Sequence, residues 1–249
     1  MIELKTEREI EIVRNNGRIL AQTLKLLEDT IRPGIKTKEL DQLAEDFIKK
    51  QGAYPAFKGY RGFPASVCVS VNEEVVHGIP GDRVIQEGQI VSVDVGVFKD
   101  GYYADAAYTY PVGEVSKEAQ KLIQVTQQAL KNAIEFMREG RYLSDISFAI
   151  QSFVEKNGFS VVRDLVGHGI GKRMHEDPQI PNFGDPGQGV TLKRGMVLAI
   201  EPMVNVGSYE IYTKEDQWTI VTRDGSLSAH FEHTVAVTEN GARVLTVDE

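Results

Sequence analysis

Four acidic residues stand where a buried sheet would normally place apolar side chains. Asp94 and Asp105 interrupt "VSVDVGVFKDGYYADAAYTY" (residues 91–110), Glu201 follows "GMVLAI" and Glu232 precedes "HTVAV". Burying an unpaired carboxylate is costly, so each of these residues calls for a partner. Four carboxylates that converge repel one another and cannot all stay ionised without cations. Two divalent ions would balance the four negative charges. His168, in "LVGHGIGKRMHEDP", adds an imidazole between glycines, which permit close approach and unusual backbone angles and suit a ligand presented from a turn. Oxygen donors with one imidazole suit Mn, Fe, Co or Zn without choosing among them. Such a metal pair activates a water and polarises a carbonyl oxygen, so metal-assisted hydrolysis is the reaction class these residues favour.

Two further histidines, His77 in "VVHGIPG" and His175 seven residues after His168, are candidates for substrate contact or proton transfer near neutral pH. His230 shares the strand face of Glu232, and His233 points to the opposite face; both read as structural or supporting residues. A lone aspartate in a strand is ordinarily solvent-facing. What sets these acids apart is that they fall at repeated positions.

Caps and periodicity mark four helices. Thr6 and Glu9 form a capping-box pattern ahead of an amphipathic run to about Thr30. Thr37 opens a second helix closed by Gly52. Ser116 opens a third closed near Gly140, and Ser144 a fourth closed by Asn157-Gly158. Laid on one another with an offset of 106, the second and fourth helices match Gly34 to Gly140, Leu40 to Ile146, Phe47 to Phe153 and Gly52 to Gly158. The match continues into the strands. "EGQIVSVDVG" meets "RGMVLAIEPM" and places Glu201 opposite Asp94, while "DAAYTYPVG" resembles "EHTVAVTEN" and places Glu232 opposite Asp105. Two helices and then a sheet, twice over, predicts an α/β (α+β) sandwich with pseudo-twofold symmetry and a site between its halves. The chain reads as one domain over 1–249, with repeats at about 6–112 and 113–245.

Asp100-Gly101 is a two-residue hairpin signal. With that turn, Asp94 faces Ala107 and Asp105 faces Gly96. The two acids then lie on one face as diagonal neighbours, about 7–8 Å apart at the backbone and within reach of one cation.

Composition bounds the remaining possibilities. The 249 residues carry a formal net charge of −8, which argues against a nucleic-acid partner held by phosphate neutralisation. A mean hydropathy of −0.25 and the lack of a membrane-length apolar run or signal-peptide pattern point to a cytoplasmic protein without a membrane partner. Cys68 is the only cysteine, which excludes an intramolecular disulfide framework or a thiolate zinc site. No G-x-S-x-G elbow, Walker loop or G-x-G-x-x-G fingerprint offers a competing chemistry.

The order Asp94, Asp105, His168, Glu201, Glu232, within "SVDVG", "YYADAAYTY", "GHGIG", "AIEPM" and "FEHT", resembles the type I methionine aminopeptidases of the bacterial kind. The resemblance runs from about Lys5 to the C-terminus and includes "SVNEEVVHGIPG" and "MHEDPQIPNFG". It implies the pita-bread fold, a monomer, and removal of the initiator methionine from the N-termini of nascent polypeptides when the second residue is small. Any transient ribosome association would use the catalytic domain. By position, Asp94, Asp105 and Glu232 would hold one divalent ion, with Asp105 and Glu232 bridging to another completed by His168 and Glu201. Glu201 would transfer protons, His77 and His175 would contact substrate, and His175 would lie near the scissile carbonyl. The same resemblance assigns the methionine pocket to Tyr60, Phe63, Cys68, Trp218 and Met174. Prolidases and aminopeptidases P share fold and metals but usually carry an extra N-terminal domain. Type II methionine aminopeptidases carry a long insertion that the 33-residue and 31-residue spacings among His168, Glu201 and Glu232 leave no room for. A non-catalytic binding protein on this scaffold would be expected to lose ligands, and all five are present.

Overall fold

The structure, a computed structural model, describes residues 2–248. Helix α1 (Glu7–Thr30) opens with the expected capping box: the Glu9 N–H donates to Thr6 Oγ1, and the Glu9 carboxylate accepts from the Thr6 N–H at 2.8 Å. Its apolar stripe, including Ile10, Val13, Leu20, Leu24 and Leu27, packs on the first hairpin. In α2 (Thr37–Lys50) the cap lies one residue earlier than expected, at Lys36, whose N–H is held by the Glu39 carboxylate at 2.8 Å. The Thr37 hydroxyl exchanges hydrogen bonds with the Gly81 backbone instead. In α4 (Leu143–Lys156) the cap lies two residues earlier than expected, at Tyr142, whose N–H donates to the Asp145 carboxylate, while Ser144 Oγ accepts from the Gln188 N–H. Helix α3 (Lys117–Ile134) is capped by Ser116 as expected. It ends before Gly140 because Phe136 and Met137 tighten onto the carbonyls three residues back.

The repeat is written in the backbone. The Gly34 N–H donates to Ile85 O at 2.8 Å, and the Gly140 N–H to Leu192 O at 3.0 Å. Thr37 reaches Arg83 as Leu143 reaches Val190, and Lys36 bridges Val84 as Tyr142 bridges Thr191. Each half has its own apolar core under its own helix pair.

The strands Ile90–Lys99 and Tyr102–Pro111 form the predicted hairpin. Asp94 pairs with Ala107 and Gly96 with Asp105. Asp100 and Gly101 both take positive φ, 51° and 81°, as the tight turn requires. In the second half the strand Val197–Ile200 pairs with His233–Thr238, and the strand Val166–Gly169 with its partner Glu176–Pro181 extends that sheet.

One correspondence differs from the sequence match. Gly88 and Val112 are hydrogen-bonded as Gly195 and Val237 are, so the second strands correspond at an offset of 125, two residues less than "DAAYTYPVG" on "EHTVAVTEN" requires. Ala107 therefore corresponds to Glu232, and Asp105 to His230. The cross-bonding agrees: Ala107 and Glu232 exchange backbone hydrogen bonds across the axis. Thr109 Oγ1 bonds both backbone groups of His230, as Thr234 Oγ1 bonds both of Asp105. Strand side chains alternate with a period of two, so a two-residue slide preserves every face and the sequence pattern could not detect it. Among the described residues no helix is long and apolar enough to cross a membrane.

Candidate metal centre

The five predicted ligands converge between the two halves, on a cavity of about 260 Å³. Asp105 is 4% exposed and Glu232 2%, and Asp94, His168 and Glu201 line the same space. Ligand atoms of Asp105, His168 and Glu232 all lie within 4.8 Å of one another. His168 Nε2 is 3.5 Å from Glu201 Oε1.

Buried Asp94 Oδ1, Asp105 Oδ1 and Glu232 Oε1 have no hydrogen-bond partner. An unsatisfied buried carboxylate oxygen is a strong demand for a cation. Burial pushes Asp94 up to about 7, tempered by a hydrogen bond with Asp105. Burial also raises Asp105 well above the usual carboxylate range, and Glu232 and Asp94 add to the rise. Glu201 and Glu232 are raised in the same way, by burial first and by neighbouring acids second.

His168 leaves one ring nitrogen free. A carbonyl can only accept, so His168 Nδ1 carries the proton that bonds Gly169 O at 2.9 Å, and Nε2 keeps its lone pair toward the acids. Burial lowers its basicity and favours the neutral ring. It is presented from a strand rather than the expected turn, and its glycines are required for space. A Cβ on Gly167 would meet Ala199 O at 2.4 Å, and one on Gly169 would meet Asp177 O at 2.2 Å. Gly169→Ala is accordingly expected to destabilise the fold by about 1–3 kcal/mol, the usual cost of overpacking. A urea unfolding midpoint equal to that of the parent protein would contradict this.

His77 and His175 line the cavity beside the acids. The His175 ring lies 4.3 Å from the His168 ring, and its Nδ1 shares a 2.8 Å hydrogen bond with the Tyr60 hydroxyl, a contact the sequence did not reveal. The cavity lining also holds Phe63 and Trp218, edge to face at 5.1 Å, with Cys68, whose thiol is held protonated by burial first and by the nearby acids. Tyr60 joins them, and so does Phe57, which was not anticipated; a side chain at Gly96 would strike its ring at 2.7 Å. Met174 does not line the cavity. It is 1% exposed in the core of the first half, because its neighbour His175 turns toward the cavity and Met174 faces the other way.

His230, read as supporting, stands closer than that. Its Nε2 has no hydrogen-bond partner and lies 3.9 Å from Glu201 Oε2 and 3.8 Å from Glu232 Oε2. His233 does point away, to the Tyr108 hydroxyl and Thr246. Thr234 was also missed: its hydroxyl fixes the Asp105 backbone at both N–H and C=O.

Comparison with known proteins gives a consistent picture. The chain is 57% identical over 246 residues to a methionine aminopeptidase 1 of Bacillus subtilis, covering 99% of each. It superposes on the crystal structure of the methionine aminopeptidase of Thermotoga maritima with a TM-score of 0.98 at 51% identity, covering 99% of this chain and all of that one. A prolidase from Pyrococcus furiosus gives a TM-score of 0.80 at 25% identity, and the match covers only 66% of that longer chain. The sequence profile of metallopeptidase family M24 matches residues 11–239, a span that takes in α2, α3 and α4 whole, most of α1, the cavity and all five predicted ligands. The chain belongs to metallopeptidase family M24.

Proposed function

We propose that this protein removes the N-terminal methionine from nascent polypeptides and peptides, as one catalytic domain built of two repeated halves. The observation that carries the reading is the set of partnerless buried carboxylate oxygens beside the free His168 Nε2, in a cavity that aromatic rings and a thiol also line. Asp94, Asp105 and Glu232 would hold one divalent ion, with Asp105 and Glu232 shared with a second that His168 and Glu201 complete. Bound there, Mn, Fe, Co or Zn would lower the pKa of a water and polarise a carbonyl oxygen.

The chain's own residues supply the rest. Phe57, Phe63, Cys68 and Trp218 offer an apolar, sulfur-tolerant surface suited to a thioether side chain. With a methionine side chain there, the adjoining peptide group lies toward the acids and between His77 and His175. His175, oriented by Tyr60, is placed to hydrogen-bond the scissile carbonyl oxygen as charge develops on it. Glu201, its carboxyl raised by burial, is suited to take a proton and return it to the leaving amine. A small second residue is part of this reading. Nascent chains are the substrate class this reading implies, met in the cytoplasm.

The test is methionine release from Met-Gly-Met-Met by chelated protein, before and after adding Mn or Co. Metal-restored release of a single N-terminal methionine is expected. Release from Xaa-Pro peptides instead would replace the substrate, and no release with no bound metal would make the protein a non-catalytic binder.

A further inference from the structure

We propose that His230 supplies a second imidazole nitrogen to the metal centre, on the side of Glu201 that His168 does not face. This rests on the metal-dependent reading above and adds a donor to the predicted five.

Three observations at the site carry it. His230 is 1% exposed, and its Nε2 is buried without a hydrogen-bond partner, an arrangement that ordinarily costs free energy unless something fills the gap. Ligand atoms of Glu201, His230 and Glu232 lie within 4.8 Å of one another, forming a second donor group that shares Glu232 with the group of Asp105 and His168. The two histidines address opposite oxygens of one carboxylate, His168 at Glu201 Oε1 and His230 at Glu201 Oε2.

The symmetry of the fold points the same way. His230 occupies the pseudo-twofold mate of Asp105, and each is clamped at both backbone groups by the mate threonine, Thr109 or Thr234. The fold thus presents His230 to the axis just as it presents a bridging carboxylate. An imidazole there, beside two carboxylates, is a donor set for the same borderline divalent ions that suit His168.

Cobalt-loaded protein tests this without any substitution. Each Co(II)-bound imidazole gives one strongly shifted ring N–H proton signal in water that vanishes in deuterium oxide. Two such signals are expected from the parent protein. His230→Gln should lose one and His168→Gln the other, and calorimetry should show one cobalt equivalent weakened at least about tenfold in His230→Gln, the scale seen when a metal's surroundings are disturbed. Thermal melts of the chelated variants verify folding. A single signal in the parent, with cobalt bound and methionine still released, overturns the role of His230 and leaves the metal centre standing. No cobalt bound at all overturns both.

Discussion

Asp105→Ala is expected to abolish methionine release while leaving a folded protein that, without metal, is more stable than its parent. The two effects have one cause. The Asp105 carboxylate is buried with one oxygen partnerless, and its charge is opposed by Glu232 and Asp94. Removing it relieves repulsion in the metal-free chain and takes away the donor shared between the two proposed ions. Backbone placement is spared, because Thr234 bonds the Asp105 N–H and C=O and not its side chain. Glu232→Ala should behave alike, since burial and the charges of Glu201 and Asp94 raise its carboxyl too. The loss of release should exceed about 100-fold, because disturbing only an outer partner of a ligand already costs 10–100-fold. Release rates, metal per chain by elemental analysis, and thermal melts with chelator are the three measurements. Near-normal release by both variants would sink the shared-ligand assignment, whatever the melts show.

The sequence carried the parts of this site that depend on local rules. The Asp100-Gly101 turn sets a register in which Asp94 meets Ala107, and the acids follow on one face from the pleat alone. The helix pairs were legible because their glycine punctuation recurs, and their backbone bonds recur with it. What stayed hidden depends on how separate segments meet. Neither Phe57 nor the Tyr60–His175 bond has a pattern in the chain, since both depend on a loop folded over a distant strand. Met174 was placed by its neighbour in sequence, yet in the bend ahead of the strand Glu176–Pro181 His175 lines the cavity while Met174 packs into the core. His230 was placed on the right face, but its importance comes from the symmetry axis, and the two-residue ambiguity of strand matching concealed that axis.

Metal-free protein should be most stable near pH 6.5 and lose stability as the pH rises beyond it, and saturating divalent metal should remove or reverse that loss. Four carboxyls are raised in the folded state, with Asp94 at about 7. An acid whose folded pKa exceeds its unfolded value near 4 keeps its proton longer when folded, so stability falls as pH rises between the two values. The histidines pull the other way at lower pH. Burial depresses His168 and His77, takes His175 and His230 to about 3 and His233 to about 4, so five histidines set against four carboxyls are favoured neutral by folding. Stability from that source is lost as the pH falls below the unfolded histidine value near 6.5. Well above 6.5 these histidines are neutral folded or unfolded, and the raised carboxyls set the slope, joined toward pH 8.5 by the Cys68 thiol, which burial also holds protonated. A carboxyl that stays protonated when folded and is ionised when unfolded costs about 1.4 kcal/mol for every pH unit climbed, so the chelated protein should lose stability from pH 6.5 to 8.5. Bound cations replace the protons, so metal affinity rises with pH and the acids become stabilising once ionised. Urea midpoints at the two pH values, with chelator and with saturating Mn, measure this directly. A chelated protein more stable at pH 8.5 than at 6.5 would show that these carboxyls do not share one buried site. The same slope with and without metal would show that the cations bind elsewhere.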